Sequence, residues 1–488
     1  MKGQAFNPYL PSWEYVPDAE PHIVDGRVYI YGSHDIFNGI NFCLGDYVCW
    51  SAPVDDLGNW TYHGVIYKRE QDPAAPWFKI TNGLAAPDMV QGPDGKYYLY
   101  YFMGGTKMIS VAVCDQPAGK YEFYGYVHYN DEAKTPIGKK KEPFQFDPGI
   151  FKDDDGRLYL YTGFAFDSNP ILLDGSAPTR EGAMVFEIDT TDMLTVKMGP
   201  QYIGTKCECN AKGTSYEGHP FAEASSMRKF GDTYYFIYSS LLSHELCYAT
   251  SDNPTSGFEF GGTLISIGDI GLDGITDVKH ARDYTGNTHG SLIKIGDDYF
   301  VFYHRHTNRK QSSRQACAEK IRFEDGKFYQ AERTSCGLNG KPLAGKGTYP
   351  SYIACNLYGK DGTMFYSMIK HLKKGYPYIT QPGRDRDGDV AGPDQYVANL
   401  CEGAVVGYKY FDLADTKEIT VKIKGNAKGV IVLKDAEKDG KVIARIPVQA
   451  SGSETDFSAP MTNVKDNQAI YFTFEGSGSY SLMSFTLS

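Results

Sequence analysis

The sequence predicts an all-β protein: a five-bladed β-propeller followed by a jelly-roll-like β-sandwich. Three observations predict it. A glycine with a tyrosine three residues later recurs at Gly26/Tyr29, Gly95/Tyr98, Gly156/Tyr159, Gly231/Tyr234 and Gly296/Tyr299. These marks lie 69, 61, 75 and 65 residues apart, and short strand patterns surround each of them, as in a repeated four-stranded unit. The composition agrees: 38 tyrosines, 27 phenylalanines and 53 glycines against only 12 methionines favour strands and tight turns over helices.

In the first unit, His22–Val24 and Arg27–Gly32 read as strands joined by the hairpin turn Asp25-Gly26, with further strands at Asp46–Ser51 and Trp60–Tyr67. In the third, Gly149–Lys152 and Arg157–Thr162 flank the acidic turn Asp153–Gly156. In the fifth, Ser291–Ile295 and Asp298–Tyr303 flank Gly296-Asp297. The propeller is assigned to residues 1–340. The glycine-rich stretch Asn339–Thr348 reads as a connection. Beyond it, alternating patterns at Glu418–Lys424, Gly429–Lys434, Val442–Val448, Ala469–Glu475 and Ser479–Leu487 read as strands of a sandwich assigned to residues 350–488.

A net charge of −11 argues against a nucleic-acid partner and against anionic membranes, and no apolar run is long enough to span a bilayer. Met1–Leu10 carries no secretion signal, which leaves a cytoplasmic location or secretion after signal removal. Ten scattered cysteines include no Cys-x-x-Cys pair, so a structural zinc is not expected. The aromatic richness suits a carbohydrate partner, whose ring faces stack on aromatic planes.

Seven to nine residues ahead of each marker glycine stands a titratable side chain: Asp18, Asp88, Asp147, Glu223 and His289. In a propeller the first strand of each blade borders the central channel, so these five residues meet at the axis. Each is weak alone, because Asp18 between prolines and Asp147 before Pro148 also suit plain turns. Glu223, bordered by Phe221, Ala222 and Ala224, sits in surroundings that keep a carboxyl protonated, the property of a general acid. Glycosidic hydrolysis needs two carboxyls in different protonation states.

The runs Asn7–Leu10, Pro17-Asp18-Ala19-Glu20-Pro21-His22, Tyr29–Asp35, Ala86-Pro87-Asp88, Phe146-Asp147-Pro148-Gly149, Glu223-Ala224 and Gly286–Ser291 together resemble glycoside hydrolase family 43. The resemblance implies a five-bladed propeller that inverts the anomeric carbon, acting on plant cell-wall polysaccharide or oligosaccharide as a β-xylosidase, an α-L-arabinofuranosidase or both. It implies Asp18 as general base, Glu223 as general acid and Asp147 as the acid that tunes and orients it. Inversion implies about 6.5–9.5 Å between the Asp18 and Glu223 carboxyls. His289 matches a histidine that ligates calcium near the site, largely through water. Substrate contacts are expected from Asp88, Trp77, His34 and Arg305. An endo-acting arabinanase and a non-catalytic sugar-binding propeller are the alternatives. The C-terminal region is similar to family 6 carbohydrate-binding modules, with Tyr408 or Tyr410 as the stacking platform, and a second calcium there is an option. Its acidic loop Asp385–Asp389 does not fit an EF-hand.

Overall fold

The structure is a computed structural model that describes residues 4–75, 83–138, 142–166, 178–371, 375–383, 392, 394–437 and 440–488. The blade hairpins begin with local turn chemistry. All five marker glycines sit between the first and second strands of a sheet, with φ of 73°, 82°, 85°, 63° and 62°. Only glycine adopts this left-handed region at no steric cost, so the recurring glycine is the hairpin turn itself. The tyrosine that follows enters the second strand.

Blade I comprises Glu20–Val24, Arg27–Tyr31, Tyr47–Pro53 and Thr61–Tyr67; blade II comprises Leu84–Gln91, Tyr97–Met103, Ile109–Cys114 and Glu122–Tyr126. Blade III comprises Gly149–Lys152, Leu158–Thr162, Met184–Ile188 and Thr195–Tyr202, extended by His128–Tyr129. Blade IV comprises Phe221–Phe230, Thr233–Ser240, Glu245–Ser251 and Glu259–Ser266, and blade V the three strands Ser291–Ile295, Asp298–His306 and Arg314–Ile321. The first strand of every blade packs on the first strands of both neighbours, so the ring closes I-II-III-IV-V-I. The N-terminus fastens that closure. Tyr9 N–H donates to the Ala316 carbonyl at 3.2 Å, and the Asn7 amide exchanges two 3.0 Å bonds with Ala318 on the outer edge of blade V.

Blades pack through large apolar side chains, mostly aromatic. Tyr161, Phe221, Phe236 and Tyr238 fill the space between blades III and IV, and Tyr31, Tyr47, Leu99 and Tyr101 that between I and II. Near the axis there is room only for backbone. A Cβ on Gly149 would lie 2.5 Å from the Ser225 carbonyl oxygen of the next blade. Gly149→Ala is therefore expected to destabilise the fold by about 1–3 kcal/mol, the usual cost of overpacking; urea denaturation measures it, and an unchanged midpoint rejects the close approach.

The sandwich follows. One sheet orders Leu343–Ala344, Val405–Asp412, Gln468–Ser477, Lys428–Lys434 and Val442–Gln449; the other orders Tyr378–Thr380, Tyr396–Leu400, Tyr480–Leu487, Glu418–Gly425 and Thr455–Pro460. Alternate residues Ile419, Val421 and Ile423 are fully buried while Glu418, Lys422 and Lys424 are exposed, the period-two pattern that marks a half-covered sheet. Two expectations change here. The stretch read as a connection joins the sandwich, since Leu343–Ala344 and Gly347–Pro350 pair with its sheets. Tyr408 lies in the core with its hydroxyl on the Ser351 carbonyl, so it offers no platform for sugar. Tyr410 is half-buried and donates to Glu332. The acidic loop Asp385–Asp389 lies outside the described residues. No helix among the described residues is long and apolar enough to cross a membrane.

Candidate active site

Four of the five axial positions gather in one cavity. Asp18, Asp147, Glu223 and His289 line a pocket of about 860 Å³ at one end of the channel, with Asn287 and Arg314. A cleft of about 990 Å³ between blade IV–V loops and the sandwich is slightly larger. It contains none of the axial carboxylates, and ion pairs such as Arg282–Glu437 and Lys409–Glu332 fill its walls. The smaller cavity is the site.

Backbone geometry aims its acids. Asp18 and Asp147 hold left-handed φ of 59° and 48°, and Ala224, beside Glu223, has φ 67°. The pairing of Phe221–Phe230 with Thr233–Ser240 slips on both sides of Glu223, a bulge that turns this side chain into the pocket. Conformations that cost of order 1–3 kcal/mol each concentrate where a fixed aim is useful. The Asp147 Oδ2 accepts the Ala224 N–H at 3.2 Å, so Asp147 also holds the backbone that carries Glu223.

Electrostatics separate the acids. Burial pushes the Glu223 carboxyl up to about 8, and the neighbouring Asp147 and Asp18 charges push the same way. One wall of the pocket is aromatic: Phe102, Phe144, Phe146, Phe164 and Phe166 line it, with Phe102 and Phe146 centroids 4.9 Å apart and Phe146 and Phe164 5.1 Å apart. Burial also raises Asp147, while His289, with Nδ1 3.5 Å from Asp147 Oδ2, opposes that rise. In His289 burial disfavours the charged ring, but the hydrogen bond and charge of Asp147, with Asp18 and Glu20, carry it to about 9. Asp18 is instead paired with a guanidinium: Arg314 Nη1 donates to Oδ1 at 2.8 Å, while Arg314 Nε and Nη2 grip Asp35 at 2.8 and 3.0 Å. Phe42 covers the guanidinium, 4.7 Å from its ring centroid.

The other sequence-predicted contacts stand elsewhere. Asp88 is on a first strand but fully buried and outside the pocket lining; its oxygens take His22 Nε2 at 2.7 Å and the Ile150 N–H at 2.8 Å, tying blades I, II and III together. His34 is buried with both ring nitrogens engaged, Nε2 by Glu14 at 2.9 Å and Nδ1 by the Asp46 carbonyl at 2.8 Å, so neither remains for a sugar. Arg305 is buried under the sandwich, bound to Gln315 and to the Ala354 carbonyl. These three are struts, not substrate contacts. Trp77 lies outside the described residues. The sequence reasoning missed Arg314, the phenylalanine wall, and Met368, which reaches the pocket from beyond the propeller. An arginine opening the strand Arg314–Ile321, buried at every position but Lys320, is the one signal for the first.

Buried oxygens without partners, and one group of possible ligands, lie among the axial residues. Glu20 Oε1, Ser225 Oγ and Thr288 Oγ1 are buried without a hydrogen-bond partner, and ligand atoms of Glu20, His22 and Asp88 lie within 4.8 Å of one another. Oxygen donors of this kind suit calcium. A second group, His219, Glu245 and Cys247, is a satisfied network, because Ser240 and His219 both bond Glu245.

A propeller with three acids in one axial pocket, one of them held protonated, is the apparatus of a glycoside hydrolase. The profile of Glycosyl hydrolases family 43 matches residues 15–328, and the chain belongs to that family. A xylosidase/arabinosidase of Thermoclostridium stercorarium is 48% identical over 490 residues, covering all of this chain and 99% of its own. An extracellular endo-α-(1→5)-L-arabinanase of Thermotoga petrophila is 35% identical over 431 residues, covering 78% of this chain and 81% of its own. Among solved structures, a family 43 β-xylosidase/α-arabinofuranosidase from a compost metagenome, with xylotriose and in a calcium-free form, is 25% identical with a TM-score of 0.51, over 67% of this chain and 98% of its own.

Proposed function

We propose that this chain is an exo-acting, inverting glycosidase that releases α-L-arabinofuranose, β-D-xylose or both from arabinoxylan-derived oligosaccharides. The propeller domain, up to about residue 340, carries the reaction, and the sandwich, from about residue 350, buttresses it. Asp18 is the general base, Glu223 the general acid, and Asp147 the group that raises and orients Glu223. Asp18 takes a proton from a water whose oxygen attacks the anomeric carbon. Glu223 gives its proton to the leaving oxygen as that bond breaks. The observation that carries this reading is the asymmetry of one pocket: Glu223 is pushed up to about 8 while Asp18 is ion-paired with Arg314.

Calcium belongs at His289. The ring nitrogen turned away from Asp147 would hold it, largely through water, and Glu20 Oε1, Ser225 Oγ and Thr288 Oγ1 are buried oxygens without a hydrogen-bond partner. Bound there, calcium would supply fixed positive charge near the acids. The similarity to the Thermotoga arabinanase favours a second reading, endo-cleavage of arabinan, which needs an open groove.

Turnover of nitrophenyl β-xyloside and α-L-arabinofuranoside tests the function, with proton NMR of the first-formed anomer for stereochemistry. Release of single inverted sugars is expected, with activity lost on prolonged chelation and restored by calcium. Retention of configuration would reject the roles of Asp18 and Glu223, cleavage only inside arabinan would select the second reading, and indifference to chelation in metal-free enzyme would reject the calcium.

A further inference from the structure

One wall of the pocket comes from the chain beyond the propeller. Residues Thr363–His371 leave the sandwich and zip along two loops of blade V. Thr285 N–H donates to the Met364 carbonyl at 3.2 Å, and Tyr366 N–H returns a 2.8 Å bond to Thr285. Gln311 N–H donates to the Ser367 carbonyl at 2.9 Å, and His371 N–H to Arg309 at 2.9 Å. Tyr366 stacks on Tyr284, with centroids 4.6 Å apart. This strap is thus fixed at both ends, and between them Met368 and the Gln311 it holds line the catalytic pocket. Lys370 Nζ then donates to Asn38 Oδ1 at 3.1 Å, joining the strap to the loop that brings Asn41 and Phe42 into the same pocket.

Residues next in sequence to the pocket lining carry exposed aliphatic side chains. Ile369, next to Met368, is 81% exposed; Ile40, next to Asn41, is 60% exposed; Leu242, next to Ser243 on the blade IV loop, is 48% exposed. Three separate loops each place an exposed aliphatic side chain beside a pocket residue. Scattered exposed aliphatics are ordinary, whereas a group of them at the mouth of a ligand cavity marks a contact surface.

Building on the hydrolase reading above, we infer that the strap is a specificity element: Met368, Ile369 and Ile40 bind the leaving-group portion of an oligosaccharide, packing against the C–H faces of the sugar next to the scissile bond. That portion must pass this mouth, because the sugar being released occupies the acid-lined floor. The sandwich side of the chain thereby acts in substrate choice through the strap.

The test compares an oligosaccharide with the glycosyl fluoride of the same sugar, whose leaving group is a single atom. Ile369→Ser and Ile40→Ser alter exposed positions, so folding is retained. For the oligosaccharide, kcat/KM is expected to fall about tenfold, mainly through KM, the scale of a lost apolar contact in a specificity pocket. For the fluoride it is expected to change less than about twofold. Equal losses on both substrates, or none on either, overturn the inference and leave the hydrolase reading standing. Wild-type enzyme that cleaves neither substrate overturns both.

Discussion

Glu223→Gln is expected to lower kcat on oligosaccharides by about a thousandfold, within the range that positioned proton transfer supplies. The amide keeps the shape of the carboxyl and has no proton to give. The deficit should shrink on a dinitrophenyl glycoside, whose leaving oxygen departs without protonation. The pH profile offers an independent check. Wild-type kcat/KM depends on protonated Glu223 in the free enzyme, so activity falls as pH rises through about 8, and the variant loses that limb. Stability should fall over the same pH range as activity. Glu223 binds a proton more tightly in the fold than its ordinary value of 4.5 allows, so its stabilisation is complete below about 4.5 and is lost as pH rises through about 8. Glutamine carries no such penalty, and the variant is expected to melt at or above the wild-type temperature at pH 8. A variant that melts lower, or that keeps more than a tenth of the wild-type rate on oligosaccharides, rejects the assignment.

The parts of this molecule visible in the sequence are those whose cause is local. A hairpin turn needs a residue at positive φ, and Gly26, Gly95, Gly156, Gly231 and Gly296 record that need wherever a blade begins. Because the turn fixes the strand before it, counting back seven to nine residues reached the axis in every blade. Part of the unevenness has a local cause too: the slip between Glu223 and Ser226 adds a residue between that acid and its turn. The count does not report depth along the axis. Asp88 and Glu223 occupy corresponding places in their blades, yet one is sealed among His22, Met89 and Ile150 and the other opens into the pocket.

Depth depends on partners brought from far along the chain. His34 looked like a sugar ligand because Glu14 and Asp46 are not recognisable as its partners until blade I is folded. Arg305 looked exposed because its cover, the Ala354 carbonyl, arrives with the sandwich. Arg314 reaches Asp18 across 296 residues of sequence, and no spacing rule connects them. The strap through Met368 was hidden for the same reason. Repetition reveals the ring, and tertiary closure decides which side chains of the ring meet the substrate.

Asp18→Asn is expected to be the most damaging conservative change in the chain, lowering kcat by about a thousandfold or more. The water that attacks the anomeric carbon must lose its proton, and no better leaving group removes that need. The deficit should therefore be equal on an oligosaccharide and on a dinitrophenyl glycoside, in contrast to Glu223→Gln. The fold should tolerate the change. Arg314 keeps two bonds to Asp35 and its contact with Phe42, and the asparagine carbonyl oxygen can accept the Nη1 proton that Asp18 Oδ1 now takes. Binding of free xylose or arabinose, measured by calorimetry, should accordingly stay within about threefold of wild type, since product affinity does not depend on activating water. An Asp18→Asn enzyme whose deficit shrinks with the better leaving group would make Asp18 a proton donor and reverse the two roles. One that turns over at wild-type speed would place the base elsewhere in the pocket, with Asp147 as the remaining carboxylate that faces the sugar.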